Sequence, residues 1–206
     1  MMRVSRLRLI VFVLGVGLFS TLLGASRMTP HHSPARLANH GPLPDFSLID
    51  QGGEPVNLSR LKGSVWIANF IFTRCAGQCP LMSAQMATLY EALRDVPSIQ
   101  FISFSVDPSY DTPERLASYA RSYGVHDERW RFVTEADTTT SIAQLAQQGF
   151  RLGVSADGTQ EEPITHSVRL VLVDSHGSIR GYYDATDAQA MAHLHTDARR
   201  LAGERR

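Results

Sequence analysis

The sequence predicts an α/β domain whose mixed β-sheet is covered by helices on both faces. Two observations lead to this prediction. Apolar, β-branched runs typical of buried strands alternate along the chain with segments of helical spacing. The last of these runs is followed by a turn and one more strand, which indicates an antiparallel hairpin at the end of the sheet. The 206 residues show no internal repeat and suit one globular domain with a short additional segment.

Start and stop signals place the individual elements. Helices are expected where a capping residue precedes helical spacing, and strands where turn residues bound an apolar run. The predicted elements, in chain order, are a hairpin over 45–49 and 56–58, a strand over 65–72, a helix starting at Pro80, a strand over 99–106, a helix from Thr112 to about Tyr123, a strand over 131–134, a helix over 139–148 capped by Asp137, a hairpin over 167–173 and 179–183, and a helix from Asp187 to about Ala202. Residues 150–165 are predicted to form an exposed excursion with a turn at Asp157-Gly158.

The strand predicted over 65–72 is followed by Cys75 and Cys79, the only two cysteines in the chain. Pro80 comes next, and proline is favoured at the first position of a helix. Cys79 is therefore expected at a helix N-terminus. A strand, a cysteine loop and a helix near the start of an α/β pattern predict a thioredoxin-like fold.

The position of the cysteines allows three kinds of chemistry. A helix N-terminus carries a partial positive charge, which favours the thiolate, and the thiolate is both the nucleophile and the metal ligand. Cys75 and Cys79 could share one metal ion, or form a redox-active disulfide once their Cβ atoms approach to roughly 3.5–4.5 Å. A purely structural disulfide is the third alternative, although so small a ring removes little chain entropy. The spacing alone does not choose among them.

Composition excludes one class of function and limits the ligand candidates. The formal net charge is zero, whereas nucleic-acid binders show a basic bias. Met82 and Met86 are soft sulfur donors near the cysteines, but their helical spacing is typical of core positions. We assign them to the core together with Trp66 and Phe70.

The N-terminal residues predict export. Arginines at positions 3, 6 and 8 precede an uncharged run over residues 9–26, which is nearly long enough to cross a hydrocarbon core of roughly 30 Å. We expect residues 1–8 to stay in the cytoplasm, residues 9–26 to form a single transmembrane anchor, residues 27–42 to be a linker and residues 43–206 to form a domain in the periplasm. A cleaved signal peptide ending near Leu23-Gly24-Ala25 is the alternative.

His166 is the third candidate site residue. It precedes the strand predicted over 167–173, and in a thioredoxin-like fold the loop before this strand packs beside the cysteine loop. We therefore expect His166 near Cys75 and Cys79, whereas the other histidines of the domain are assigned structural roles.

Three segments together resemble the Sco/SenC family, whose members are membrane-anchored, thioredoxin-like copper-binding proteins. The segments are FTRCAGQCP at 72–80, SVDPSYDTPE at 105–114 and ITHSVRLVLVD at 164–174. The resemblance covers about residues 41–200 and implies that Cys75, Cys79 and His166 are copper ligands. Asp107 and Asp111 resemble the acidic pair of the family, which would tune the metal site or contact a partner; turn formation and capping are the alternative role. The spacer between the cysteines lacks the Pro-Asp of many members.

The resemblance also implies a function. It predicts a copper metallochaperone in a bacterial inner membrane that assembles the CuA centre of cytochrome c oxidase, with the CuA-bearing subunit and other periplasmic copper or thiol proteins as partners. The expected cargo is one copper ion. Soft thiolates select Cu(I), so Cu(I) is the expected form, with Cu(II) as the alternative. An enzymatic role is the alternative: a thiol–disulfide reductase that keeps the cysteines of the copper-receiving subunit reduced. A copper sensor is a third, non-catalytic reading.

The predicted anchor can be tested by membrane fractionation. We expect the full-length protein to stay with the membrane after a carbonate wash, because the apolar run over 9–26 should remain in the bilayer. Release of a mature form that begins near Ser26 would show instead that the run is a signal peptide.

Overall fold

The computed structural model describes residues 37–137, 139–155 and 165–203, with the backbone alone at Val154, Ser155, Thr165 and His166. The elements, in chain order, are β1 (Ser47–Asp50), β2 (Pro55–Asn57), α1 (Leu58–Leu61), β3 (Val65–Ile71), α2 (Gln78–Ala92), β4 (Ile99–Ser105), α3 (Pro113–Ser122), β5 (Trp130–Thr134), α4 (Ile142–Gln144) continued by a π-helical turn (Leu145–Gly149), β6 (Val154–Ser155), β7 (Thr165–His166), β8 (Arg169–Val173), β9 (Ile179–Asp184) and α5 (Ala188–Gly203). The predicted anchor over 9–26 and the predicted turn at Asp157-Gly158 lie outside the described residues. Within the described ranges, no helix combines the length and the apolar character needed to cross a membrane.

Seven of the described strands form one mixed sheet in the order β2-β1-β5-β4-β3-β8-β9. The central strands β3, β4 and β5 are parallel, and the strands on either side of them are antiparallel. Strands β6 and β7 form a separate two-stranded ladder. The predicted mixed sheet and its closing hairpin are therefore confirmed, and β3, which leads into the cysteine loop, lies near the middle of the sheet.

Strand β3 is buried along its whole length because the sheet is covered on both faces. On one face, Phe70 stacks on Phe104 with ring centroids 5.1 Å apart. On the other face, Phe101 packs against Tyr90 of α2 at 5.7 Å. The predicted core positions Trp66 and Phe70 are confirmed. This rigid strand fixes the point at which the cysteine loop leaves the sheet.

The helix predicted over 139–148 begins later than expected. The capping role predicted for Asp137 is wrong, since Ser141 is the N-cap and its side chain accepts a hydrogen bond from the Gln144 N–H. Asp137 accepts instead from the Thr139 N–H in a local turn. Asp and Ser are equally good caps, and burial of Ile142 in the core sets the actual start of the helix.

The compact unit begins at Leu37, although composition alone places a linker as far as residue 42. Residues 38–43 lie along the edge strand β9: His40 N–H donates to the Ile179 carbonyl, and Ile179 N–H donates to the Gly41 carbonyl. The Arg180 guanidinium also donates to the Ala38 carbonyl. This segment covers part of an edge that would otherwise be open to pairing with other chains.

Candidate metal centre at the cysteine loop

The two cysteines lie at the carboxyl end of β3. Cys79 is the second residue of α2 and is fully buried, whereas Cys75 in the preceding loop is partly exposed; the two are not joined by a disulfide. Cys75 N–H donates to the Phe72 carbonyl, which closes a turn directly after the strand. The predicted helix N-terminus is confirmed, with Pro80 at the third helical position rather than the first.

The N-terminus of α2 favours negative charge at the cysteines. Gly77 is the N-cap and provides no side-chain cap for the first turn. The first N–H groups of a helix have no partner within the helix and form the positive end of its dipole. Pro80 costs no helical hydrogen bond there because its position lies within this first turn. The local electrostatics therefore suit thiolates as metal ligands or as nucleophiles.

Asp111 holds the cysteine loop to the end of the neighbouring strand. Its fully buried carboxylate accepts hydrogen bonds from the Thr73 N–H at 3.0 Å, the Thr73 hydroxyl at 2.5 Å and the Ser105 hydroxyl at 2.6 Å. Thr73 stands two residues before Cys75, and Ser105 is the last residue of β4. The carboxylate thus joins the ends of two adjacent parallel strands at the point where the loop begins.

Asp107 holds the next residue of the loop. Its carboxylate is 4% exposed and lies 2.7 Å from Nε of Arg74, the residue before Cys75. Its backbone carbonyl also accepts from the N–H groups of Tyr110 and Asp111, so the turn-forming role is present as well. Asp111 thus restrains the loop backbone at Thr73, and Asp107 holds the side chain of Arg74. Neither aspartate is placed against the sulfur by the contacts described.

Sequence reasoning missed the residues that these two aspartates hold. Thr73 and Arg74 follow a buried strand, and the acidic residues follow the next parallel strand. The carboxyl ends of parallel strands meet at one edge of a sheet. The positions of these residues directly after two parallel strands could therefore have predicted that Thr73 and Arg74 contact the two aspartates. Arg74 also lies over the Tyr110 ring, with the guanidinium carbon 4.9 Å from the ring centroid, and Arg115 lies over the same ring at 3.9 Å.

A pair of hydroxyl groups lies behind Cys79. Ser83, one helical turn later on α2, is fully buried, and its Oγ is 2.9 Å from the Tyr119 hydroxyl of α3. Burial is the main reason why the pKa of Tyr119 lies well above its ordinary value, and negative charge at Cys79 raises it further. Tyr119 also lines a shallow groove of about 340 Å³ beside the loop, together with Thr73 and Tyr110.

The strand order places the backbone of His166 at the same end of the sheet. Strand β8 is antiparallel to β3, with Val171 opposite Ala68, so β8 begins where β3 ends. His166 ends β7, three residues before the start of β8. Among the side chains that the structure describes, no three His, Cys, Asp or Glu groups converge on one metal position; the imidazole of His166 is not among them. Its role as a ligand stays a prediction.

Comparison with known proteins identifies the family. Residues 37–201 match the SCO1/SenC family model. The chain belongs to the SCO1/SenC family. The resemblance drawn from the three segments is therefore confirmed.

Its relatives support the same assignment. The SCO1 protein homolog of Bacillus subtilis (strain 168) is 34% identical over 143 residues, which cover 69% of this chain and 73% of that protein. A Stutzerimonas stutzeri protein named for copper binding is 28% identical over 186 residues, which cover 87% of each. A solved structure of BsSco, a member of the Sco family of cytochrome c oxidase assembly proteins with a disulfide switch, matches with a TM-score of 0.71 at 28% identity, covering 81% of this chain and 98% of that chain. The thioredoxin-like mixed α/β fold agrees with these neighbours.

The unequal exposure of the two thiols predicts unequal reactivity. In the reduced, metal-free protein we expect iodoacetamide to modify Cys75 first, because Cys79 becomes accessible only when the structure opens. Mass spectrometry after short labelling would locate the modification, and labelling in denaturant would serve as the control in which both sites react. Equal modification of both cysteines in the folded protein would contradict the burial of Cys79.

The Asp111 carboxylate is predicted to stabilise the loop. Asp111→Asn keeps the shape but replaces one acceptor oxygen with an NH2 group and removes the charge, so a hydroxyl must turn to accept and the remaining hydrogen bonds lose their charge assistance. We expect the free energy of unfolding to fall by about 1–3 kcal/mol, measured by chemical denaturation of the reduced protein. The matched control is Asp187→Asn at the exposed N-cap of α5, where either residue caps equally well. Equal losses in the two variants would contradict the anchoring role.

Proposed function

We propose that this protein is a copper metallochaperone for assembly of cytochrome c oxidase, and that it delivers copper to the CuA centre. The observation that carries the proposal is the pair of reduced thiols at and just before the N-terminus of α2, one buried and one partly exposed. Membership of the SCO1/SenC family and the relative named for copper binding support it. So does BsSco, whose family assembles cytochrome c oxidase.

The residues present suit copper better than zinc. Two thiolates and one imidazole form the soft, three-coordinate set that Cu(I) accepts, and Cys75, Cys79 and His166 would supply it. A structural zinc site would need a fourth protein ligand. Met82 and Met86 are fully buried in the core, which removes the nearest thioethers from the ligand set.

The difference in exposure suits the transfer of a metal ion. Cys79 is held rigidly in α2 and would keep its bond to the ion longest. Cys75 is reachable from solvent and is the ligand that an incoming sulfur of the partner would displace first. Asp107 and Asp111 would act as supporting residues by restraining Thr73 and Arg74, and therefore the position of Cys75.

Oxidation would switch loading off. Joining the two sulfurs removes two electrons and two protons from the dithiol and leaves no thiolate to bind metal. Loading would then require a reductant that returns both electrons. The redox state of Cys75 and Cys79 would therefore gate the uptake of copper.

A thiol–disulfide reductase is the second candidate function. An exposed attacking thiol beside a buried one is the arrangement that exchange through a mixed disulfide requires. In this reading Cys75 attacks the disulfide of the copper-receiving subunit and Cys79 resolves the mixed disulfide. His166 is dispensable for that reaction but necessary for the three-ligand copper site.

The proposal includes a location. Residues 9–26 would anchor the protein in a bacterial inner membrane, with the copper-binding domain in the periplasm. The support for this location is the arginine-flanked apolar run and the polar segment that follows it.

Replacing His166 separates the two candidate functions. His166→Ala leaves both thiols and removes the imidazole, so we expect the copper affinity of the reduced full chain to fall by at least about 10–100-fold. Anaerobic copper titration would measure the affinity. Reduction of a model disulfide by the same variant should proceed at close to the parent rate.

The matched control for this experiment is His176→Ala. His176 is exposed in the turn between β8 and β9, so this variant should bind copper like the parent. Parent-like copper affinity in His166→Ala would contradict the three-ligand site and favour the reductase.

A further inference from the structure

The hydroxyl group of Tyr182 is a buried donor without an acceptor among the described residues. Tyr182 lies on the edge strand β9, and its phenol oxygen is shielded from solvent. A buried hydroxyl that makes no hydrogen bond loses its hydration without compensation, and such groups are rare in native proteins. The hydroxyl therefore indicates a place where an acceptor from outside could bind.

Three positively charged or chargeable side chains lie on the same side of the sheet edge as this phenol. The His40 ring packs edge-on against the Tyr182 ring at 5.2 Å between centroids. The Arg151 guanidinium lies over Gly41, with its terminal nitrogen 3.6 Å from the position that a Cβ of Gly41 would take. Arg169 is on the same face of the sheet, because it precedes Val171 by two residues and Val171 pairs with Tyr182. We call His40, Arg151, Arg169 and Tyr182 the basic cluster.

The two arginines of the basic cluster are not held in ion pairs within the described parts of the chain. No carboxylate described there lies within ion-pair distance of Arg151 or Arg169. Asp184 is opposite Arg169 across the β8–β9 pair, but its carboxylate accepts from the N–H and hydroxyl of Thr186 in its own turn. These hydrogen bonds are the main reason why the pKa of Asp184 is lowered, and the charge of Arg169 lowers it further from beyond ion-pair distance. Burial raises the pKa of Tyr182, whereas the charges of Arg151 and Arg169 lower it, so both guanidinium groups act on the phenol.

The basic cluster also lies next to the segment that carries His166. Arg151 precedes β6 by three residues, and Arg169 follows β7, which ends in His166, by the same number. Arg151 has a left-handed backbone conformation, with φ of 56°, that is uncommon for residues other than glycine. The two arginines of the cluster therefore stand at the two chain ends of the β6–β7 segment.

We propose that the basic cluster binds a side-chain carboxylate of an acidic segment on the protein that receives copper. Two guanidinium groups and a phenol hydroxyl provide charge-assisted donors for the two oxygens of one carboxylate. The identity of the partner rests on the proposed function: the receiving protein must approach the end of the sheet that carries Cys75 and His166, and Arg169 begins β8 at that end. Binding of the carboxylate itself does not require copper.

The test uses the copper-free full chain in a non-ionic detergent and a fluorescein-labelled hexaglutamate peptide. Fluorescence anisotropy at low salt should show binding of hexaglutamate and none of hexaglutamine. Arg151→Gln and Arg169→Gln should each weaken binding about tenfold or more, and Tyr182→Phe about two- to tenfold. Arg151→Gln keeps a side chain with a Cβ at the left-handed position, so the backbone strain is matched.

Tyr183→Phe is the matched control for Tyr182→Phe. The Tyr183 hydroxyl donates to Asp197 at 2.8 Å on the opposite face of the sheet, so this variant should lose stability and keep peptide binding. Tyr182→Phe should keep its stability and lose peptide binding. A loss of stability in Tyr182→Phe that equals the loss in Tyr183→Phe would show that the Tyr182 hydroxyl has a structural partner, and it would overturn the proposal.

Two further outcomes would overturn it. Hexaglutamate binding could be absent, or could be insensitive to Arg151 and Arg169. Inorganic phosphate could also bind with dependence on the basic cluster while hexaglutamate does not, which would assign the site to phosphate groups. The copper titration of the same protein is independent: failed copper binding with intact hexaglutamate binding would reject only the metallochaperone function.

Discussion

The cysteine loop depends on one buried charge. The Asp111 carboxylate has no exposure to solvent, and a buried carboxylate is costly unless hydrogen bonds satisfy its oxygens. Those bonds come from Thr73 at the start of the loop and from Ser105 at the end of β4. The three groups meet only when β3 and β4 lie side by side in register, so the charge is compensated in the folded state alone. The same contacts that compensate it determine where Cys75 can lie.

The two thiols differ because of the elements that hold them. Cys79 lies in the first turn of α2 and is buried against the core, whereas Cys75 lies in a loop restrained through Thr73 and Arg74. A rigid, buried sulfur suits retention of a ligand, and a restrained but accessible sulfur suits exchange. The proposed copper transfer and the alternative disulfide exchange both use this difference, and for that reason the imidazole of His166 is the group that separates them.

One end of the sheet brings together residues that are far apart in the chain. The cysteine loop follows β3, the acidic turn follows β4, and His166 precedes β8, which is antiparallel to β3. Arg169 begins β8 at this end, and Arg151 and Arg169 stand on the two sides of the β6–β7 ladder, whereas His40 lies toward the opposite end of β9, where its N–H donates to the Ile179 carbonyl. A partner that approaches the partly exposed Cys75 at this end of the sheet would therefore also approach Arg169.

The sequence by itself determined the fold class, the strand–cysteine loop–helix unit and the family. These features depend on residue order over short distances: an apolar run, a proline after Cys79, and three motifs that each occupy about ten residues. Only the tertiary structure decided which side chains hold the loop, since Asp111 and Thr73 are 38 residues apart and meet through strand order and register. Packing also decides that Ser141 rather than Asp137 caps α4. It likewise decides that the Tyr183 hydroxyl has a hydrogen-bond partner whereas the adjacent Tyr182 hydroxyl has none among the described residues. Ser and Asp cap helices equally well, and the two tyrosines are identical, so residue type cannot predict which member of each pair forms its hydrogen bond. The way each residue packs against the rest of the fold decides it.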